Sequence, residues 1–215
     1  MRIAQSYLPF ILAMCAVVAL SNYLVQFPVQ IALGTVNLAD LLTWGAFTYP
    51  IAFLVTDLTN RRFGSSAART IVVFGFVLAV LLSIWLATPR IAIASGTAFL
   101  AAQLLDVSVF ERLRQAAWWK APLVSTVIGS LLDTILFFSI AFAGFFALLD
   151  FGGEEGSLAF PVPFLGVGGE VPLWVSLAAG DLLVKLIVGL AMLVPYRAFL
   201  GLIRAEAPVG HPRQA

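Results

Sequence analysis

The chain has 215 residues, of which 61% are hydrophobic and 11% charged, with a formal net charge of +1. Soluble domains carry about 25% charged residues, so this composition, at a mean hydropathy of +1.03, excludes an ordinary soluble fold. A single cysteine, Cys15, and a single histidine, His211, exclude a disulfide framework and a Cys/His metal site.

Six apolar segments follow in chain order, at about 7–26, 41–58, 70–87, 91–110, 121–149 and 173–196. Each approaches or exceeds the ~20 residues that a helix needs to cross the hydrocarbon. The expected fold is an all-α membrane protein, a six-transmembrane-helix bundle forming one domain over 1–215. The first segment follows Arg2 but is too long for a signal-peptide core and lacks a small-residue cleavage site, so it is read as retained. The fifth is long enough to demand tilt or to continue past the surface.

Basic residues set the expected orientation. With both termini cytoplasmic, Arg2, Arg61, Arg62, Arg69, Arg112, Arg114, Lys120, Arg197, Arg204 and Arg213 all fall inside, 10 of the 12. Arg90 alone falls outside, and Lys185 lies within the sixth span. The 150–172 loop carries Asp150, Glu154, Glu155 and Glu170 with no basic residue, as an outer loop should. That loop also holds Phe151, Phe160 and Phe164. It reads either as a surface loop or as a partly inserted segment over an outer vestibule. Trp118, Trp119 and Lys120 read as an interfacial belt.

Ionisable residues inside the spans carry the functional signal. Asp133, Asp181 and Lys185 lie near mid-membrane, and Asp57 and Asp106 nearer the cytoplasmic ends. A charge at a helix centre costs on the order of 3 kcal/mol on insertion scales, so these groups must face the bundle interior or a wet cavity. Helical spacing aligns Tyr49, Phe53, Asp57 and Asn60 on the second span, Phe99, Gln103, Asp106 and Phe110 on the fourth, and Ser125, Gly129, Asp133 and Phe137 on the fifth. Such stripes mix ring faces with hydrogen-bonding groups and suit a flat polar ring. Asp181 and Lys185, at i and i+4, read either as coupling groups or as a structural ion pair. Asp57 and Asn60 form a polar cluster at the cytoplasmic end, where Asp57 could pair with Arg61 or Arg62; Asp106 could pair with Arg112 or Arg114. Asp133 has no basic residue within two turns of its own helix and is the leading functional candidate.

The stretches SNYLVQFPVQI (21–31), TWGAFTYPIAFLVTDLTNRRFG (43–64), RIAIAS (90–95), QLLDVSVFERLRQ (103–115), WWKAP (118–122) and ST..G...DT..FF.IAF (125–142) resemble the bacterial queuosine-precursor transporters of the vitamin uptake type. Asp181 and Lys185 also match an acid and a lysine of that family. The resemblance spans roughly 20–190 and departs in the outer loop and the C-terminal tail. It implies uptake of 7-cyano-7-deazaguanine (preQ0), and of its 7-aminomethyl form, across the bacterial inner membrane for salvage into tRNA queuosine.

Residue chemistry suits such a base. A guanine-like edge offers two N–H donors to a carboxylate, and its face stacks on aromatic rings. Asp133 is therefore expected at the donor edge, with Asp106 beside it among the binding residues. Gln103 and Asn22 are expected to match the remaining polar atoms, and Phe53, Phe110 and Trp44 to stack. The reading includes no enzyme activity, cofactor, metal or nucleic acid; the partners are the base and the bilayer. The chain lacks a phosphate loop ending in Lys-Ser or Lys-Thr. ATP could thus drive it only through a separate ATPase module, for which this chain would be the substrate-binding membrane subunit.

Overall fold

A computed structural model describes residues 7–33, 36–38, 42–149 and 158–201 of the chain. Arg2, Arg204, Arg213, His211 and the 150–157 part of the outer loop lie outside the described residues. Helices dominate: α1 (Leu8–Leu24), α2 (Gly45–Thr48), α3 (Pro50–Phe63), α4 (Ser65–Leu86), α5 (Pro89–Leu113), α6 (Lys120–Phe142), α7 (Leu173–Ala191) and α8 (Leu193–Leu200). Two short antiparallel hairpins join them, β1 (Ala32–Leu33) with β2 (Val36–Asn37), and β3 (Pro161–Pro163) with β4 (Glu170–Pro172).

Four helical stretches are long and apolar enough to cross a membrane: Ser65–Leu86, Pro89–Leu113, Lys120–Phe142 and Leu173–Leu200. Their outer faces are what a bilayer requires. Val73, Phe74, Val77, Leu81 and Ile84 stand exposed along α4, Val127, Leu131 and Ile135 along α6, and Leu183, Ile187, Leu190 and Val194 along α7 and α8. Helical spacing puts each set on one stripe, and water would penalise such stripes where lipid does not. The protein is an all-α, multi-pass membrane protein.

The first and second predicted segments are shorter than expected as helices. α1 has 17 residues. The second is broken: α2 ends at Thr48, α3 starts at Pro50, and the helix runs on to Phe63 rather than stopping at Leu58. Proline lacks the N–H that would bond the carbonyl of Ala46, so the helical ladder resets at that point. Gly64, at φ +88°, then turns the chain into α4. The fifth segment also stops early, at Phe142, and continues as a 3-10 turn over Gly144–Leu149.

Packing interleaves these helices around four apolar clusters among the described residues, two of which join most of the bundle. Met14 and Val18 of α1 meet Ala52, Ile71, Val72, Phe99 and Val107 from α3, α4 and α5. At the other cluster Leu58, Phe110, Ala121 and Tyr196 join α3, α5, α6 and α8. Close approach depends on small residues: a Cβ built on Gly129 would come within 2.8 Å of the Phe53 ring, and one on Gly75 within 2.8 Å of Met14. Arg90, expected in an outer loop, is instead buried and donates from Nε to the Ile140 carbonyl (2.8 Å) and from a terminal nitrogen to Ala143 (2.7 Å). It satisfies carbonyls at the C-terminal end of α6, where the helix dipole favours a cation.

Candidate functional site

α1, α4, α5, α6 and α7, with the turn before α2, enclose a cavity of about 340 Å³. Its walls are largely apolar: Val18, Ala79, Leu86, Ile91, Ala98 and Leu177, with the rings of Phe99, Phe137, Phe138 and Phe142. Polar atoms enter from Ser21, Asn22, Gln26, Thr43, Ser83 and Ser95. Two lining residues of α6, Phe142 and Asp133, are nine positions apart, about 14 Å along the helix axis.

Three ionisable side chains and a phenol line its inner end. Lys185 Nζ donates to Asp133 Oδ2 at 2.7 Å, pairs with Asp181 Oδ2, and reaches Thr134 Oγ1 at 3.4 Å. Tyr49 donates its hydroxyl to Asp133 Oδ1 (2.9 Å), and its ring lies 5.1 Å from the ammonium. Thr134 donates to Asp181 Oδ2 (3.0 Å). Both oxygens of Asp133 are thus engaged by protein donors. Asp181 spends only Oδ2 on these partners, and its side chain is 16% exposed against 6% for Asp133. The free acceptor at the cavity floor is Asp181 Oδ1.

The isolation expected for Asp133 is therefore corrected. Its cation arrives from α7, 52 residues along the chain, where a search of its own helix could not find it. The arginine pairings left open for Asp57 and Asp106 are not formed. Both carboxyls are buried, and among the described residues neither forms an ion pair with an arginine. Arg61 is instead turned to Tyr196 Oη (3.0 Å) and to the Arg114 carbonyl (2.7 Å), and Arg114 answers with a bond to the Arg61 carbonyl (2.8 Å).

Of the residues expected to bind the base, Asp133 and Asn22 line the cavity, together with Asp181 and Lys185. Asn22 spends its amide N–H on the Val18 carbonyl (2.9 Å), which leaves its oxygen to the cavity. The others lie elsewhere. Gln103 is fully buried and accepts from Thr56 (2.6 Å). Phe53 packs edge-on to Tyr49, and Phe110 sits under the Arg61 guanidinium at 5.1 Å. Trp44 is 45% exposed beside Phe47. Asp106, Asp57 and Asn60 cluster toward the basic end of the bundle. Sequence reasoning missed Phe138 and Phe142 and gave no binding role to Tyr49, Phe99 or Phe137, although the helical stripes held all three. Facing rings around one void was the signal, and it needs the packing of α5 against α6 to be seen.

Residues 43–88 and 81–199 match the family model described as "Putative vitamin uptake transporter". A probable queuosine precursor transporter of Haemophilus influenzae is 38% identical over 206 residues, covering 83% of this chain and 79% of that protein. The queuosine precursor transporter of Escherichia coli is 44% identical over 147 residues, covering 59% of this chain and 64% of that protein. A probable queuosine precursor transporter of Bacillus subtilis is 29% identical over 141 residues, 52% of this chain and 62% of that protein. No solved structure matches.

Proposed function

This chain belongs to the vitamin uptake transporter family, among the queuosine precursor transporters, and from that premise we propose that it takes up 7-cyano-7-deazaguanine across the bacterial inner membrane. The observation that carries the reading is the cavity itself: a ring-walled pocket of about 340 Å³ ending in a spare carboxylate oxygen. Pockets for small ligands begin at about this size and fix orientation with a few polar groups. Asp181 Oδ1 accepts the donor edge of the base, a charge-assisted contact. Asp133 holds Lys185 in place rather than meeting the base. Asn22 offers an oxygen, and Phe99, Phe137 and Phe138 supply ring faces.

The chain acts as one membrane domain with six crossings and both termini in the cytoplasm. α1 spans about 26 Å, and α2 with α3 about 28 Å from Gly45 to Phe63, at 1.5 Å per residue. Both approach the ~30 Å of hydrocarbon, and the basic residues at one end set the orientation. The 7-aminomethyl base is a second substrate, because the floor presents two carboxyls to one ammonium and a cation is welcome there.

The test is uptake of labelled nitrile base by this chain expressed alone in a precursor-auxotrophic strain that lacks any vitamin-type ATPase module. Saturable uptake competed by the aminomethyl base is expected. Uptake that requires an added ATPase module would make the chain a binding subunit of such a complex. Absence of competition would remove the charge argument for the second substrate.

A further inference from the structure

Between the cavity floor and the basic end lies a second polar group that the cavity does not use. Asp57 of α3 and Asp106 of α5 are both buried, and they lie between two cross-links of the same helices, Thr56 to Gln103 and Asn60 to the Val107 carbonyl. Ser125 of α6 donates to Asp57 Oδ1 at 3.3 Å and also neighbours Asp106. Neither Asp106 oxygen meets a donor of good geometry. Two further fully buried atoms beside them are unpartnered: Asn60 Oδ1, one turn beyond Asp57, and Gln103 Nε2, one turn before Asp106. Asn60 spends its amide N–H on the Val107 carbonyl (3.0 Å), which ties it to the residue next to Asp106.

Arg61 and Arg62 follow on α3, and a buried terminal nitrogen of Arg61 and the Nε of Arg62 have no hydrogen-bond partner. Arg61 on α3 and Arg114 at the end of α5 are turned to each other's carbonyls, and Tyr196 on α8 accepts from Arg61. Thr126 of α6 completes the wall near Asp57. Among the described residues no ammonium or guanidinium forms an ion pair with either carboxyl. Two neighbouring carboxylates, buried and unbridged, would face both mutual repulsion and the loss of hydration. A single proton held between them removes the repulsion and gives Asp106 the donor that it lacks, as in other carboxyl dyads.

We propose that Asp57 and Asp106 form a proton-binding site whose loading couples movement of the base to the proton gradient; this rests on the uptake reading above. The site lies outside the cavity, so proton and base bind at separate places and one proton enters with each base.

The experiment uses the full chain in liposomes that enclose a pH-sensitive dye, with labelled 7-cyano-7-deazaguanine. Adding base outside should acidify the lumen. An inward gradient of one pH unit should concentrate the base up to about tenfold, the limit for one proton per base. Asp106→Asn should cut gradient-driven uptake about tenfold while base-for-base exchange falls far less. Base uptake without acidification in the unsubstituted protein overturns the proposal and leaves the uptake reading standing. So does accumulation driven by a sodium gradient instead. Equal loss of both modes in Asp106→Asn gives the pair a structural role and also overturns it. Absence of both uptake and exchange of base in the unsubstituted protein sinks the uptake reading and this proposal with it.

Discussion

Lys185 has three N–H donors, and the floor of the cavity supplies three acceptors: Asp133, Asp181 and, more distantly, Thr134. Removing the cation strands two carboxyls in a buried site, where losing one partner of a pair costs about 3–5 kcal/mol. Lys185→Met should therefore lower the thermal midpoint of the detergent-solubilised protein more than any single aspartate substitution here. Adding Asp133→Asn to it should restore part of the loss, because one unpaired carboxyl is then gone. Asp181→Asn should behave differently: Lys185 keeps Asp133, so stability changes little while uptake of the base is lost. Melting curves beside uptake assays read both. A stable Lys185→Met, or an Asp181→Asn that transports normally, would contradict these roles.

At the scale of the element, α3 and α6 meet where Gly129 lets the Phe53 ring lie against the helix. Phe53 is fully buried and cannot swing into solvent, so Gly129→Ala should cost about 1–3 kcal/mol as an overpacking change. Phe53→Leu should recover part of it, and thermal unfolding of both variants in detergent checks the coupling. The helices themselves were legible in the chain, because a bilayer demands about 20 apolar residues per crossing and the sequence displays that directly. Their exact ends were less so. The break at Pro50 was spelled out in the sequence but overridden by the apolar run around it, and the early stop of α6 had no such marker. The site was legible in part. Lone charges in apolar helices announced Asp133, Asp181 and Lys185, since each must be compensated somewhere. Which partner compensates which is a property of helix packing, and Asp133 found its cation on a helix that spacing alone could not bring near. Phe53 and Phe110 show the reverse failure: they share a helical face with polar residues, yet that face is spent on core contacts with Gly129, Tyr49 and Arg61.

Across the whole molecule the two ends differ. The cavity extends to Leu86, Ile91 and Phe142, away from the basic end. The opposite end is tied shut: Arg61 and Arg114 exchange bonds to each other's carbonyls across α3 and α5, Tyr196 brings in α8, and Arg197 lies 4.8 Å over the Trp118 ring. On the orientation proposed above, with the basic end in the cytoplasm, this arrangement would face outward, and release of the proposed base inside would require that tie to open. Cysteine accessibility tests it, starting from Cys15→Ala because Cys15 is the native thiol. In that background Ser95→Cys, on the cavity wall, should react with a membrane-impermeant maleimide added to intact cells, and the nitrile base should slow the reaction. Ser125→Cys, fully buried beyond the floor, should stay unlabelled under the same conditions. Adding Arg61→Ala should then expose Ser125→Cys to reagent in inside-out vesicles, since the Arg61 side chain makes two of the ties at that end. If Ser95→Cys is labelled only from the cytoplasmic side, the cavity faces inward and the orientation is reversed. If Arg61→Ala leaves Ser125→Cys silent, the closure does not depend on Arg61.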